Sequence, residues 1–318
     1  MSTIKSDIDW MGLWYNIIKE RGENDKPSFG CYNLDSGQVD WMSFSHSEMD
    51  GVGAMIDYYE KKNYKLTKFP DLKEKNKPTF LETIGIFYRL LFQTKKIKTI
   101  WIENNDILNP PDPLKISFHI FSIDQTKKIL DHCKSNKISS TAFLMNETTH
   151  LLLSTLSING EGTWTVPVNL RPVVKNSNIK ANHSSGLLIN VKKSDGPNET
   201  HKEISQQLKK KQHWGVWWIH QVGRIIGYQG MRIMSNKVAR SNFIIGSFSN
   251  LGTWDLPPNH IWVGSPPGSK NFPISVMLMV ANNRLSVSLK IHPAVMKNQG
   301  DTPALLEKLI QHIIHKVD

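Results

Sequence analysis

Residues 109 to 113 read Asn-Pro-Pro-Asp-Pro, and three prolines within four positions exclude both a helix and a central strand there. This is the strongest boundary in the chain, and it predicts two parts, residues 1–105 and 115–318. At 318 residues with 39% hydrophobic content, the protein can bury one large core or two ordinary ones. Strand-like and helix-like stretches mix on both sides without a strict strand-helix-strand rhythm, which predicts an α/β fold with mixed sheets flanked by helices.

In the first part, DIDWMGLWYNIIK (7 to 19) is a short apolar opening element and QVDWMSFS (38 to 45) alternates like a strand. VGAMIDYYEKK is helical, with Asp50 in the position of a cap residue. A Lys/Pro-rich loop over 68–79 leads to a helix expected from about Thr79 to Thr94. The second part reads as strand ISFHIFS, helices DQTKKILDHCKSN and SSTAFLMNETTHLLLSTL, and strands GTWTVPVNLRPVV and SSGLLINVKK. A mostly helical stretch from Glu199 to Met234 follows, then a strand, NFIIGSFSNLG. A hairpin turning at Asn282-Asn283 and an amphipathic terminal helix complete the chain.

The balance of 39 Lys+Arg against 28 Asp+Glu gives a net charge of +11, which favours anionic partners. No nucleic-acid-binding pattern accompanies it, so nucleic acid is not an expected partner. The two cysteines, Cys31 and Cys133, stand apart from each other and from any metal-type cluster, which argues against a disulfide framework or a CxxC zinc site. MSTIKSDIDWMG has acidic residues where an export signal needs an apolar core, so the cytoplasm is the expected compartment.

The stretch SHSEMDG, residues 45 to 51, carries the chemistry. If the preceding strand continued through it, His46, Glu48 and Asp50 would share one face as a metal triad. A second reading is a capped strand-to-helix turn with an incidental histidine. A third is a catalytic turn, in which an imidazole beside a glycine turn serves as general base.

His46-Ser47-Glu48-Met49-Asp50-Gly51 resembles the HHxxxDG motif of the chloramphenicol acetyltransferase-like superfamily, which includes nonribosomal peptide condensation domains and wax ester synthases. Ser45 stands where that family has its first histidine; the second is the base, and His46 keeps that place. VPVNLRPVV, with Arg171, resembles the family's Asn-x-Arg strand, and SFSNLG resembles the S-N-x-G stretch of its wax-ester-synthase-like members. The resemblance implies two lobes with an active-site tunnel between them, a shortened first lobe because only 45 residues precede His46, and acyl transfer from a thioester to a hydroxyl or amine. It implies no permanently bound cofactor and no metal, with acyl-CoA or a phosphopantetheine thioester as co-substrate. Partners would be a small-molecule or lipid acceptor and an acyl carrier protein, and a homo-oligomer could rebuild the shortened wall. A non-catalytic module binding a carrier protein or lipid is the alternative.

By the same resemblance, His46 takes the acceptor's proton, Asp50 pairs with Arg171 and shapes the loop, and Gly51 permits close backbone packing. Ser249 and Asn250 would donate to the oxyanion or brace the tunnel, or simply form a strand-end turn. Glu48 is expected to face solvent. The tryptophan-rich stretch, with Trp214, Trp217, Trp218, Arg224 and Arg232, reads either as a core helix or as an interfacial helix touching a membrane. His213 and His220 on it read as packing or surface residues.

Overall fold

Strands of four to eleven residues are interleaved with helices of nine to twenty-six, in a computed structural model that describes residues 10–23, 26–64, 66, 76–89, 98–103, 105, 116–174, 178–239, 244–266, 268–298 and 300–318. The first part contributes α1 (Trp10–Glu20), β1 (Ser28–Asn33), β2 (Val39–Ser43), α2 (Gly51–Lys61) and α3 (Phe80–Tyr88). The second contributes β3 (Ser117–Ile120), α4 (Ile123–Ser135), α5 (Ser140–Leu156), β4 (Glu161–Asn169), β5 (Ser184–Lys192), α6 (Pro197–Lys209) and α7 (Trp214–Ala239). It continues with β6 (Ile244–Trp254), β7 (His260–Ser265), β8 (Ile274–Ala281), β9 (Arg284–Ile291) and α8 (Asp301–Val317). The expected boundary at 106–114 and the end of the helix expected to reach Thr94 lie outside the described residues.

Local chemistry sets several of these ends. Thr79 accepts from Glu82 N while the Glu82 carboxylate accepts from Thr79 N, a reciprocal cap that starts α3; Ser122 and Gln125 do the same for α4. Asn282 and Asn283 turn the β8–β9 hairpin with φ of 49° and 57°, the left-handed pair that a two-residue turn needs between right-twisted strands. Two strands were not legible. β1 (SFGCYN) lacks apolar alternation, and β7 (HIWVGS) is a short apolar run among prolines and glycines.

The large sheet has six strands in the order β3-β9-β8-β6-β4-β5, with β4–β6 and β6–β8 parallel and the other pairs antiparallel. Its outer face presents Trp164, Val166, Val276, Leu278, Val287 and Leu289 to the buried sides of α4, α5 and α8, forming the main core. The smaller sheet, β2-β1-β7, is antiparallel throughout. Although β7 belongs by sequence to the second part, it pairs with β1 along its whole length. A second core of Phe29, Met55, Tyr59 and Trp262 joins this small sheet and α2 to Met277 and Met279 on the inner face of β8.

α7 bends at Gly227, whose φ of 65° lies in the left-handed region open to glycine. Trp214 is fully buried and Trp217 and Trp218 pack against the main core, so these rings are not offered to a membrane. The exposed apolar side chains of this helix are Ile225, Ile226 and Ile233. His213 is a packing residue, and burial pushes its imidazole down to about 4, leaving it neutral. The side chains of His220 and Arg224 lie outside the described residues. No helix among the described residues is long and apolar enough to cross a membrane.

Candidate active site

β2 ends at Ser43, and residues 46 to 48 form a turn rather than a continued strand. The spacing-two metal face therefore does not form: Glu48 is exposed and Asp50 is buried in a different role. Among the described residues no group of three or more His, Cys, Asp and Glu side chains converges on one point. Met49 bridges antiparallel to Ala181, and Asp50 then caps α2 by accepting from Gly53 N at 2.9 Å. The motif is thus a strand, a turn and a helix N-terminus seated against the segment between β4 and β5.

Asp50 and Arg171 form a bidentate pair, with Nη2 to Oδ1 at 2.7 Å and Nη1 to Oδ2 at 2.8 Å, both side chains being nearly buried. Asp50 Oδ2 also accepts from His183 N at 3.0 Å. Arg171 directs its remaining donors to Asn169 Oδ1, Ile179 O and Ala181 O. All five guanidinium hydrogens are therefore used, and the pair ties α2, the end of β4 and residues 179–183 into one unit.

His46 is half-buried. Its Nδ1 lies 3.0 Å from Met49 O and its ring centroid 4.4 Å from that of Tyr15. A carbonyl oxygen can only accept, so we assign the ring hydrogen to Nδ1 and the lone pair to Nε2. Asn182 completes the setting. Its Oδ1 accepts from Ser184 N and Oγ, which fixes the amide orientation, and its Nδ2 then donates to His46 O at 2.9 Å and lies 3.3 Å from Nδ1. Tyr15 and Asn182 carry no pattern in the sequence that could have marked them, because each meets His46 only through long-range packing.

The two glycines of the motif differ. A Cβ on Gly51 would meet the Phe29 ring at 2.9 Å and Leu251 of SFSNLG at 3.6 Å, whereas one on Gly53 would lie 2.0 Å from the backbone oxygen of Lys180. The ring can tilt, but the backbone beside Arg171 cannot. Gly53→Ala should accordingly cost about 1 to 3 kcal/mol, and more than Gly51→Ala. Urea midpoints of the two variants check this, and the reverse order would contradict it.

SFSNLG reaches the motif through Leu251. Asn250 accepts from Gly252 N and donates to Thr141 Oγ1, both at 2.8 Å, so its side chain braces β6 against α5 at the register shift before Thr253; β6 runs on to Trp254, so the expected strand-end turn does not form there. Ser249 is buried in β6, paired with Met277 on the inner face of the large sheet.

No family model matches the sequence, and no curated protein matches it. Solved structures do. Trichothecene 15-O-acetyltransferase from Fusarium sporotrichioides superposes with a TM-score of 0.55 at 12% identity, over 98% of this chain and 75% of that one. The cyclization-docking bidomain of a nonribosomal peptide synthetase from Sorangium cellulosum gives 0.56 at 13% identity, over 87% of this chain and 59% of that one. The first condensation domain of the CDA synthetase gives 0.53 at 10%, over 96% and 71%. This chain thus spans between about three fifths and three quarters of these structures' length, and at such identities the likeness is one of architecture. Mixed sheets flanked by helices give this protein the fold shared by these condensation and cyclization domains and this acetyltransferase.

Proposed function

We propose that the protein is an acyltransferase that moves an acyl group from a thioester, of CoA or of carrier-bound phosphopantetheine, to a hydroxyl or amine acceptor. The observation that carries this reading is the setting of His46, with Nδ1 held by Met49 O and the lone pair of Nε2 directed away from that anchor. The acceptor's oxygen or nitrogen forms a bond to the thioester carbonyl carbon as Nε2 takes its proton. The tetrahedral intermediate then expels sulfur, and the imidazolium returns the proton to the leaving thiolate. Acyl transfer in general is supported by the fold shared with an acetyltransferase and with condensation domains. The positive charge of the chain suits the phosphates of CoA and the acidic surface of a carrier protein alike. Asp50 and Arg171 serve as the frame of the turn, and Asn182 as a positioning residue for the imidazole.

The test is release of free thiol from acyl-CoA and acyl-pantetheine donors of short and long chain, with alcohols and amines supplied as acceptors. Acceptor-dependent release with at least one donor is expected. Release no faster than background hydrolysis across the whole panel would favour a module that binds a carrier or a lipid without turnover.

A further inference from the structure

The first turn of α3 is an apolar corner that the proposed chemistry does not use. Phe80 and Leu81 are each 79% exposed, and Ile84, which adjoins both on the helix surface, is 52% exposed. Thr79 and Glu82 cap the turn reciprocally, so the corner is held in shape while its apolar side chains project into solvent. The opposite side of the helix is anchored by Ile86, which is buried in the main core. Single exposed apolar residues are ordinary on a protein surface, but three adjoining large ones that project this far mark a contact surface.

The charge set beside this corner is positive. Lys211 Nζ lies 3.1 Å from Glu82 Oε2, which balances that carboxylate and seats the run Lys209-Lys210-Lys211 against the first turn of α3. Lys209 and Lys210 are exposed, and so is Lys77, three residues before Phe80. Projecting apolar side chains beside exposed ammonium groups match a surface that is apolar within and negative at its face. A second copy of the chain, pairing corner to corner, would bring lysines against lysines. A protein partner would have to supply a socket for side chains that project this far, whereas a bilayer opens around them.

We infer that the first turn of α3 docks the protein on an anionic lipid surface, with Phe80, Leu81 and Ile84 entering the headgroup boundary and Lys77, Lys209 and Lys210 meeting lipid phosphates. The tryptophans of α7 take no part, since they pack inward. The contact is peripheral, because side chains of this length reach only the outer roughly 5 to 10 Å of a bilayer. Its electrostatic share weakens as salt rises, because the lysines meet the phosphates in water. The inference is independent of the acyltransferase reading: it uses no residue of the His46 site, and it concerns binding and not turnover.

Co-sedimentation of the full chain with vesicles of phosphatidylcholine alone, and of phosphatidylcholine with one quarter phosphatidylglycerol, tests it. Native protein should partition onto the anionic vesicles about tenfold or more better than onto the neutral ones. Phe80→Ser with Leu81→Ser should reduce that partitioning about tenfold or more, and Lys209→Gln with Lys210→Gln should reduce it too. Urea midpoints of both double variants should stay close to native, because all four side chains are exposed. Ile123→Ser removes a half-exposed apolar side chain from α4, which packs on β9 and α8 and not on α3 or α7, and should leave partitioning unchanged. Equal partitioning of native and Phe80→Ser/Leu81→Ser chains would overturn the docking surface. So would no native binding to either vesicle, or equal binding to both. A native dimer in sedimentation velocity that the same double variant dissolves would assign the corner to a second copy and overturn the lipid surface. An acidic acyl carrier protein bound by native but not by that variant, with vesicles bound by neither, would overturn it as well.

Discussion

Asp50→Ala is expected to lower the free energy of unfolding by about 3 to 5 kcal/mol, and Arg171→Ala by a similar amount. The carboxylate accepts from Gly53 N, His183 N and two guanidinium nitrogens. Removing it strips the cap from α2 and leaves Arg171 as an unpaired charge with little water around it. Removing the arginine leaves the carboxylate equally stranded and frees the carbonyls of Ile179 and Ala181. Because each single variant isolates the partner's charge, the double variant Asp50→Leu with Arg171→Met should be less destabilised than the sum of the two single alanine variants. Urea denaturation of the three chains measures this. A fully stable Asp50→Ala that has lost activity would mean that Asp50 acts on the imidazole as a charge partner and not on the shape of the turn.

The frame of the site was legible from residues that act over short range. Asp50 as a helix cap follows from its place before VGAMIDYYEKK, and the Asn282-Asn283 turn follows from two adjacent residues tolerant of positive φ. The pairing of Asp50 with Arg171, 121 positions apart, was visible only through the resemblance of HxxxDG and NLR to a known pattern. Asn182 and Tyr15 had no such guide. A side chain that meets the histidine from 136 positions away leaves no trace in local periodicity, and the extended segment that carries Asn182 reads as loop. The close approach at Gly53 has no local signal for the same reason, since what forbids a Cβ there is the backbone of Lys180, far along the chain.

The proline-rich break separates the chain in sequence more sharply than in space. β7, from beyond the break, completes the sheet begun by β1, and the second core mixes Phe29 and Met55 with Trp262 and Met277. Strand exchange of this kind is set by pairing between distant segments, which composition shifts and turn signals do not report. The His46 turn is likewise held from both parts of the chain, by Tyr15 on one side and by Ala181 and Asn182 on the other.

The second large effect is expected at His46. Its side chain is half-buried and stands outside the three clusters of buried core residues, so His46→Ala should leave the fold nearly intact. The chemistry should suffer instead, because a positioned general base contributes about 10² to 10⁴ in rate. Loss confined to kcat, with donor affinity kept, would mark a group acting on the transferring proton rather than on binding. Asn182→Ala, which loosens the imidazole without removing it, should lower kcat by less.

The most direct measurement is the thiol-release kcat of native protein and His46→Ala under one donor and acceptor, with urea midpoints taken alongside. A fall of about 10² to 10⁴ at an unchanged midpoint is the result expected of a general base. Turnover by His46→Ala within a few-fold of native would contradict it.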